Sequence, residues 1–79
     1  SVPNDYWRTA TVAEVQLLQG NYEQAAALYQ SAVGGAPLER GSHQSTWRQA
    51  SCLLDCLEAS AEQRKLISNV FPAVGLERV

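Results

Sequence analysis

The chain has 79 residues and a formal charge of -2, with 46% hydrophobic and 18% charged residues and only 3 prolines and 5 glycines. That length encloses one core at most, which excludes large α/β enzyme scaffolds, and the composition is globular rather than disordered or collagen-like. Acidic and basic residues are dispersed, with Arg64-Lys65 the only adjacent basic pair, and no apolar run approaches the ~20 residues of a membrane span; nucleic-acid and membrane binding are therefore not expected. The punctuation marks four helices. The first is expected from about Tyr6 to Gln19, with Asn4 or Asp5 as N-cap and Gly20 just past its end. Asn21 opens the second, Tyr22 to Val33, with Gln24 placed for a capping box and Gly34-Gly35 as the stop. After Pro37, Ser42 is the expected cap of a third helix reaching Leu57 or Glu58. Ser60-Ala61-Glu62-Gln63 reads as a capping box for a fourth, which Pro72 ends near Phe71. No segment alternates with period two, so the fold class is all-α.

At 100° per residue Tyr6, Ala10, Ala13 and Leu17 share one stripe of the first helix and form its expected core face. Trp7, Thr11, Glu14 and Leu18 make the adjacent stripe. On the second helix Ala25, Leu28, Tyr29, Ala32 and Val33 face inward, and the short Gly20-Asn21 link folds the pair into an antiparallel hairpin. The third helix carries Trp47, Ala50, Leu53, Leu54 and Leu57 as its main stripe. Cys52 lies close to the opposite side with Cys56 between, so this helix reads as apolar on two faces, sandwiched between the hairpin and a further cover.

Gly20, Tyr22, Ala25, Tyr29, Ala32 and Pro37 spell G-x-Y-x-x-A-x-x-x-Y-x-x-A followed five residues on by proline. This resembles the second half of a tetratricopeptide repeat, a helix–turn–helix of about 34 residues that stacks on its neighbours. In that frame the repeat spans residues 6–39. Thr9 and Gln16 stand where tryptophan and tyrosine are common in the family, and Ala13 supplies the small residue. Residues 40–71 form two further helices without the same signature, and 72–79 a tail. With this single repeat, the segment GSHQSTWRQA at residues 41–50 and a closing helix, the chain from Tyr6 to about Leu57 also resembles the tetratricopeptide-containing TRAF-binding region of apoptosis-signal-regulating kinases and its bacterial relatives. The resemblance implies four helices as two antiparallel hairpins, with the first helix lining a concave ligand surface. Trp7, Thr11, Glu14 and Leu18 would occupy that surface. Chaperone-tail binders of the family clamp a terminal carboxylate with lysine and asparagine, whereas this chain has Ala10 and Glu14 at the matching places.

Candidate chemistry is sparse. Cys52 and Cys56 are four apart, wrong for a CxxC redox pair, and are expected to be buried small residues; His43 lacks an evident nucleophile or ligand set and is expected to be an exposed residue of a first helical turn. Gly34-Gly35 follows a helix rather than a strand, so it is no phosphate loop. The expectation is no catalysis, no cofactor and no metal. Trp7 has two readings, partner anchor or plain core.

A core of this size leaves about 3–5 kcal/mol at best, so a neighbouring domain or a second copy is the expected extra support. The chain contains no methionine, so Ser1 is expected to follow a removed initiator or a cleaved tag, with the segment belonging to a longer protein, and its first residues have no secretion-signal pattern, so a cytoplasmic location is expected. The functional expectation is a non-enzymatic protein–protein interaction or scaffold module. The alternatives are a small-molecule- or nucleotide-sensing regulatory domain of a bacterial signalling protein, or a structural cap of a longer helical array.

Overall fold

The computed structural model describes residues 4–72. The described residues form four α-helices and no strand: α1 (Asn4–Leu18), α2 (Tyr22–Gly35), α3 (Arg40–Cys56) and α4 (Ala61–Ser68). None of these is long and apolar enough to cross a membrane. The tail from residue 73 onward lies outside the described residues.

The stripe spacing of α1 decides its burial: Tyr6, Ala10, Ala13 and Leu17 are its buried residues. α2 buries Ala25, Tyr29 and Ala32, with Leu28 and Val33 half-buried at the edge of the same core. Tyr6, near the start of α1, packs with Ala32 and Ala36 at the far end of α2, whereas Ala13 and Leu17 meet Ala25 and Tyr29; the two helices therefore run antiparallel. The alanines admit this close approach because they place only a methyl group between the helix axes. Trp47, Ala50 and Leu54 of α3, Ile67 of α4 and the following Val70 and Phe71 close the main core. Leu17, Tyr29, Leu54 and Ile67 are its largest fully buried side chains, and burying an aliphatic one such as Leu17 is worth about 1.5–3 kcal/mol in removal of apolar surface from water.

Gly20 adopts φ +81°, and the Asn21 N–H reaches back to the Gln16 carbonyl at 2.9 Å, closing α1 in a Schellman turn. The end of α3 repeats that turn without a glycine: Glu58 takes φ 52° and the Ala59 N–H bonds the Leu54 carbonyl at 3.0 Å. Arg64 reinforces this end, donating from Nε to the Ala59 carbonyl at 3.0 Å and from a terminal nitrogen to Asp55 Oδ1 at 2.6 Å. The Ser60–Gln63 capping box forms in full, Gln63 N donating to Ser60 Oγ at 3.1 Å and Ser60 N to Gln63 Oε1 at 2.8 Å.

Several expected boundaries move. Asn4 and Asp5 lie inside α1 rather than capping it, and Asp5 sits in the first turn, where the helix dipole favours a carboxylate. The capping box expected at Asn21 and Gln24 does not form. Asn21 already serves the turn that closes α1, and its Nδ2 donates instead to Gln16 Oε1 at 2.9 Å. α2 runs through Gly34 and Gly35 and stops at Ala36, which is buried beside Tyr6 and Ala32. Ser42 lies inside α3, whose N-cap position is Glu39. α4 ends at Ser68, three residues before Phe71, because Val70 and Phe71 leave the helical path to enter the core, where the Phe71 ring meets Tyr29 and Trp47 at 5.6 and 5.7 Å between centroids.

Two side-chain expectations are overturned. Cys52 and Cys56 are exposed free thiols, because α3 buries a single stripe through Trp47, Ala50 and Leu54 and both cysteines fall outside it. The cysteine-bearing side of α3 is left uncovered by the other described residues. His43 is buried rather than exposed: its Nε2 donates to the Ala36 carbonyl at 2.7 Å, and its ring stacks on Tyr6 at 5.9 Å. The turn at Pro37 folds α3 back toward α1, which brings the first turn of α3 under the end of α2.

Candidate functional site

The contact between α1 and α3 is polar. Thr46 Oγ1 donates to the Ser42 carbonyl at 2.8 Å, and the Tyr6 hydroxyl shares its proton between Thr46 Oγ1 at 2.7 Å and that same carbonyl at 3.2 Å. Burial raises the Tyr6 pKa, against the opposing pull of the Thr46 hydrogen bond. These bonds satisfy polar groups that close packing withdraws from water.

Next to this contact a groove of about 290 Å³ lies between the two helices. Trp7, Thr11 and Glu14 line it from α1, Ser45 and Gln49 from α3, with the buried Ala10 and Thr46 beneath. Trp7 is 45% exposed and forms a T-shaped pair with Tyr6, centroids 4.9 Å apart. Of the two readings open for Trp7, plain core does not apply to a ring exposed to this extent. Thr11 Oγ1 donates to the Trp7 carbonyl at 2.8 Å, so this hydroxyl is held against its own helix. Three of the four residues expected on the ligand surface thus share one groove. The fourth, Leu18, is 56% exposed but lies one turn beyond it, beside exposed Val15.

Glu14 is the groove's one charged residue. It is half-buried, and desolvation alone raises its pKa. No cation among the described residues pairs with it: Arg8 lines a separate depression with Asp5 and Thr9, and Arg64 is bound to Asp55. Fully buried Tyr29 has a hydroxyl without a hydrogen-bond partner, and its pKa is pushed strongly upward by burial, with further contributions from the charges of Glu14 and Tyr6. Glu14 is therefore an unpaired, partly desolvated carboxylate, an arrangement that is costly.

The residues of the repeat-like pattern are structural. Gly20 makes the left-handed turn, Ala25, Tyr29 and Ala32 are buried, Tyr22 is half-buried and Pro37 is exposed in the link to α3. Sequence reasoning missed the α3 wall. Its signal was present as a polar helical stripe, Ser42, Ser45, Thr46 and Gln49, at spacings of three and four residues. Without the Tyr6 contact nothing distinguished that stripe from an ordinary solvated face. No family model matches the chain, and no curated protein or solved structure matches it either.

Proposed function

We propose that this chain is a non-enzymatic interaction module of tetratricopeptide type, a part of a larger scaffold or signalling protein, that binds a segment of a protein partner in the groove between α1 and α3. The observation that carries the reading is an exposed tryptophan beside a groove whose base is fastened by buried hydrogen bonds. Interface energy concentrates in such aromatic anchors, and a pre-formed site loses less entropy on binding. The antiparallel α1–α2 pair and the position of α3 beside α1 are in keeping with two stacked hairpins whose first helices share a concave face. At about 290 Å³ the groove falls just below the ~300–1,000 Å³ range of small-molecule pockets, which favours a peptide side chain over a free ligand.

Selection of a displayed random-hexapeptide library on the purified chain tests this. The selected peptides should lose roughly 30-fold in affinity on Trp7→Ala, the size of a hot-spot truncation, while the far-ultraviolet circular dichroism stays unchanged. Failure to select any peptide, or equal binding by the variant, overturns the reading.

A further inference from the structure

Resting on the interaction reading above, we propose that the partner segment presents a lysine or arginine side chain to Glu14, with an apolar side chain two residues away seated on Trp7. Charge complementarity commits the site to this occupant. The groove carries one formal charge, a carboxylate, and that carboxylate has no cation partner among the described residues. Its partial burial strengthens attraction for an incoming cation relative to a fully solvated pair. Ser45 and Gln49 on the opposite wall add neutral groups able to accept further N–H bonds from an ammonium or guanidinium.

The spacing sets the order of the two anchors. Trp7 and Glu14 are seven residues apart on α1, which is about 10.5 Å along the axis at 1.5 Å per residue. In an extended peptide, side chains on one face recur every second residue, roughly 6.8 Å apart. The flexible aliphatic stem of lysine or arginine covers the remaining distance while its head stays polar, and the stem itself can pack against Ala10 and Trp7. An acidic segment would instead bring a second carboxylate against Glu14 in a partly desolvated setting, where like charges repel.

The test selects the same random-hexapeptide library on the wild-type chain and on Glu14→Lys. Wild type should enrich lysine or arginine two positions from an apolar residue, and Glu14→Lys should enrich aspartate or glutamate there. The wild-type peptides should bind Glu14→Gln at least 10-fold more weakly, with a reduced dependence on salt, and circular dichroism should show that both variants retain their helices. Identical selections by wild type and Glu14→Lys overturn the charge assignment. If those peptides still require Trp7, the interaction reading stands while this inference falls; if no peptide is selected at all, both fall.

Discussion

The Tyr6 hydroxyl stands 2.7 Å from Thr46 Oγ1 across 40 residues of chain, and this buried contact fastens α1 to α3. Tyr6→Phe removes the contact while keeping the ring that packs on Ala32 and Ala36. Thr46 keeps its own bond to the Ser42 carbonyl, so no orphaned group remains. The expected cost is about 1 kcal/mol, the net worth of one buried hydrogen bond. In a domain of this size that lowers Tm by about 4–8 °C in calorimetry. An unchanged Tm would mean that apolar packing alone sets the α1–α3 geometry.

Glu58 closes α3 with φ 52°, a region that L side chains occupy at a cost and glycine freely. Glu58→Gly should stabilise the fold by about 0.5–1 kcal/mol, the relief of strain being partly offset by the greater entropy of glycine in the unfolded chain. Gly20→Ala, at φ +81°, should shift stability in the opposite direction. Urea titration of both variants reads the two signs, and a destabilised Glu58→Gly would place the importance of Glu58 in its side chain.

The exposed thiols make a kinetic prediction. Cys52 and Cys56 should both react with an aromatic disulfide reagent in the native protein at the rate of a free thiol, without waiting for unfolding. The double Cys→Ser variant should keep its stability within about 0.5 kcal/mol, as surface substitutions do. Modification limited to the unfolding rate is the result that contradicts this.

Glu14 links the groove to pH. Desolvation raises its pKa from the ordinary 4.5, so the folded chain holds this proton more tightly than the unfolded one. Between the unfolded pKa and the raised folded one the folded state consequently binds more protons, and the stability contributed by the neutral carboxyl is lost as pH rises through that window. Glu14→Gln should be more stable than wild type at neutral pH, and the advantage should vanish below the ordinary, unfolded pKa of 4.5. Parallel melts at acidic and neutral pH measure the difference. An advantage independent of pH would show that the gain does not come from ionisation.

Where the sequence reading succeeded, the signal was local and periodic. The α1 stripe Tyr6, Ala10, Ala13 and Leu17 is buried as a unit, and Ser60 with Gln63 forms its capping box, because both depend on neighbours three or four residues apart. Boundaries failed where a residue had two possible partners. Asn21 could cap α2 or complete the turn closing α1, and the turn took its N–H. The shortened α4 has the same kind of cause, since the aromatic contacts of Phe71 with Tyr29 and Trp47 lie outside any local pattern.

The candidate site divides along the same line. Trp7, Thr11 and Glu14 were identifiable because a 3.6-residue period places them on one stripe. The α3 wall was not, because its polar residues acquire meaning only when Tyr6 bonds Thr46 across the fold. His43 and the cysteines show the limit from both sides: side-chain chemistry suggested a solvent-facing histidine and buried thiols, and packing reversed both. What the sequence by itself determined was the all-α class, the turn between α1 and α2 and one wall of the groove, since these follow from backbone conformation and helical period. Only the tertiary structure decided which polar residues are buried, which wall faces Glu14 and which cations lie away from it, because burial and charge pairing depend on distances between segments far apart in the chain.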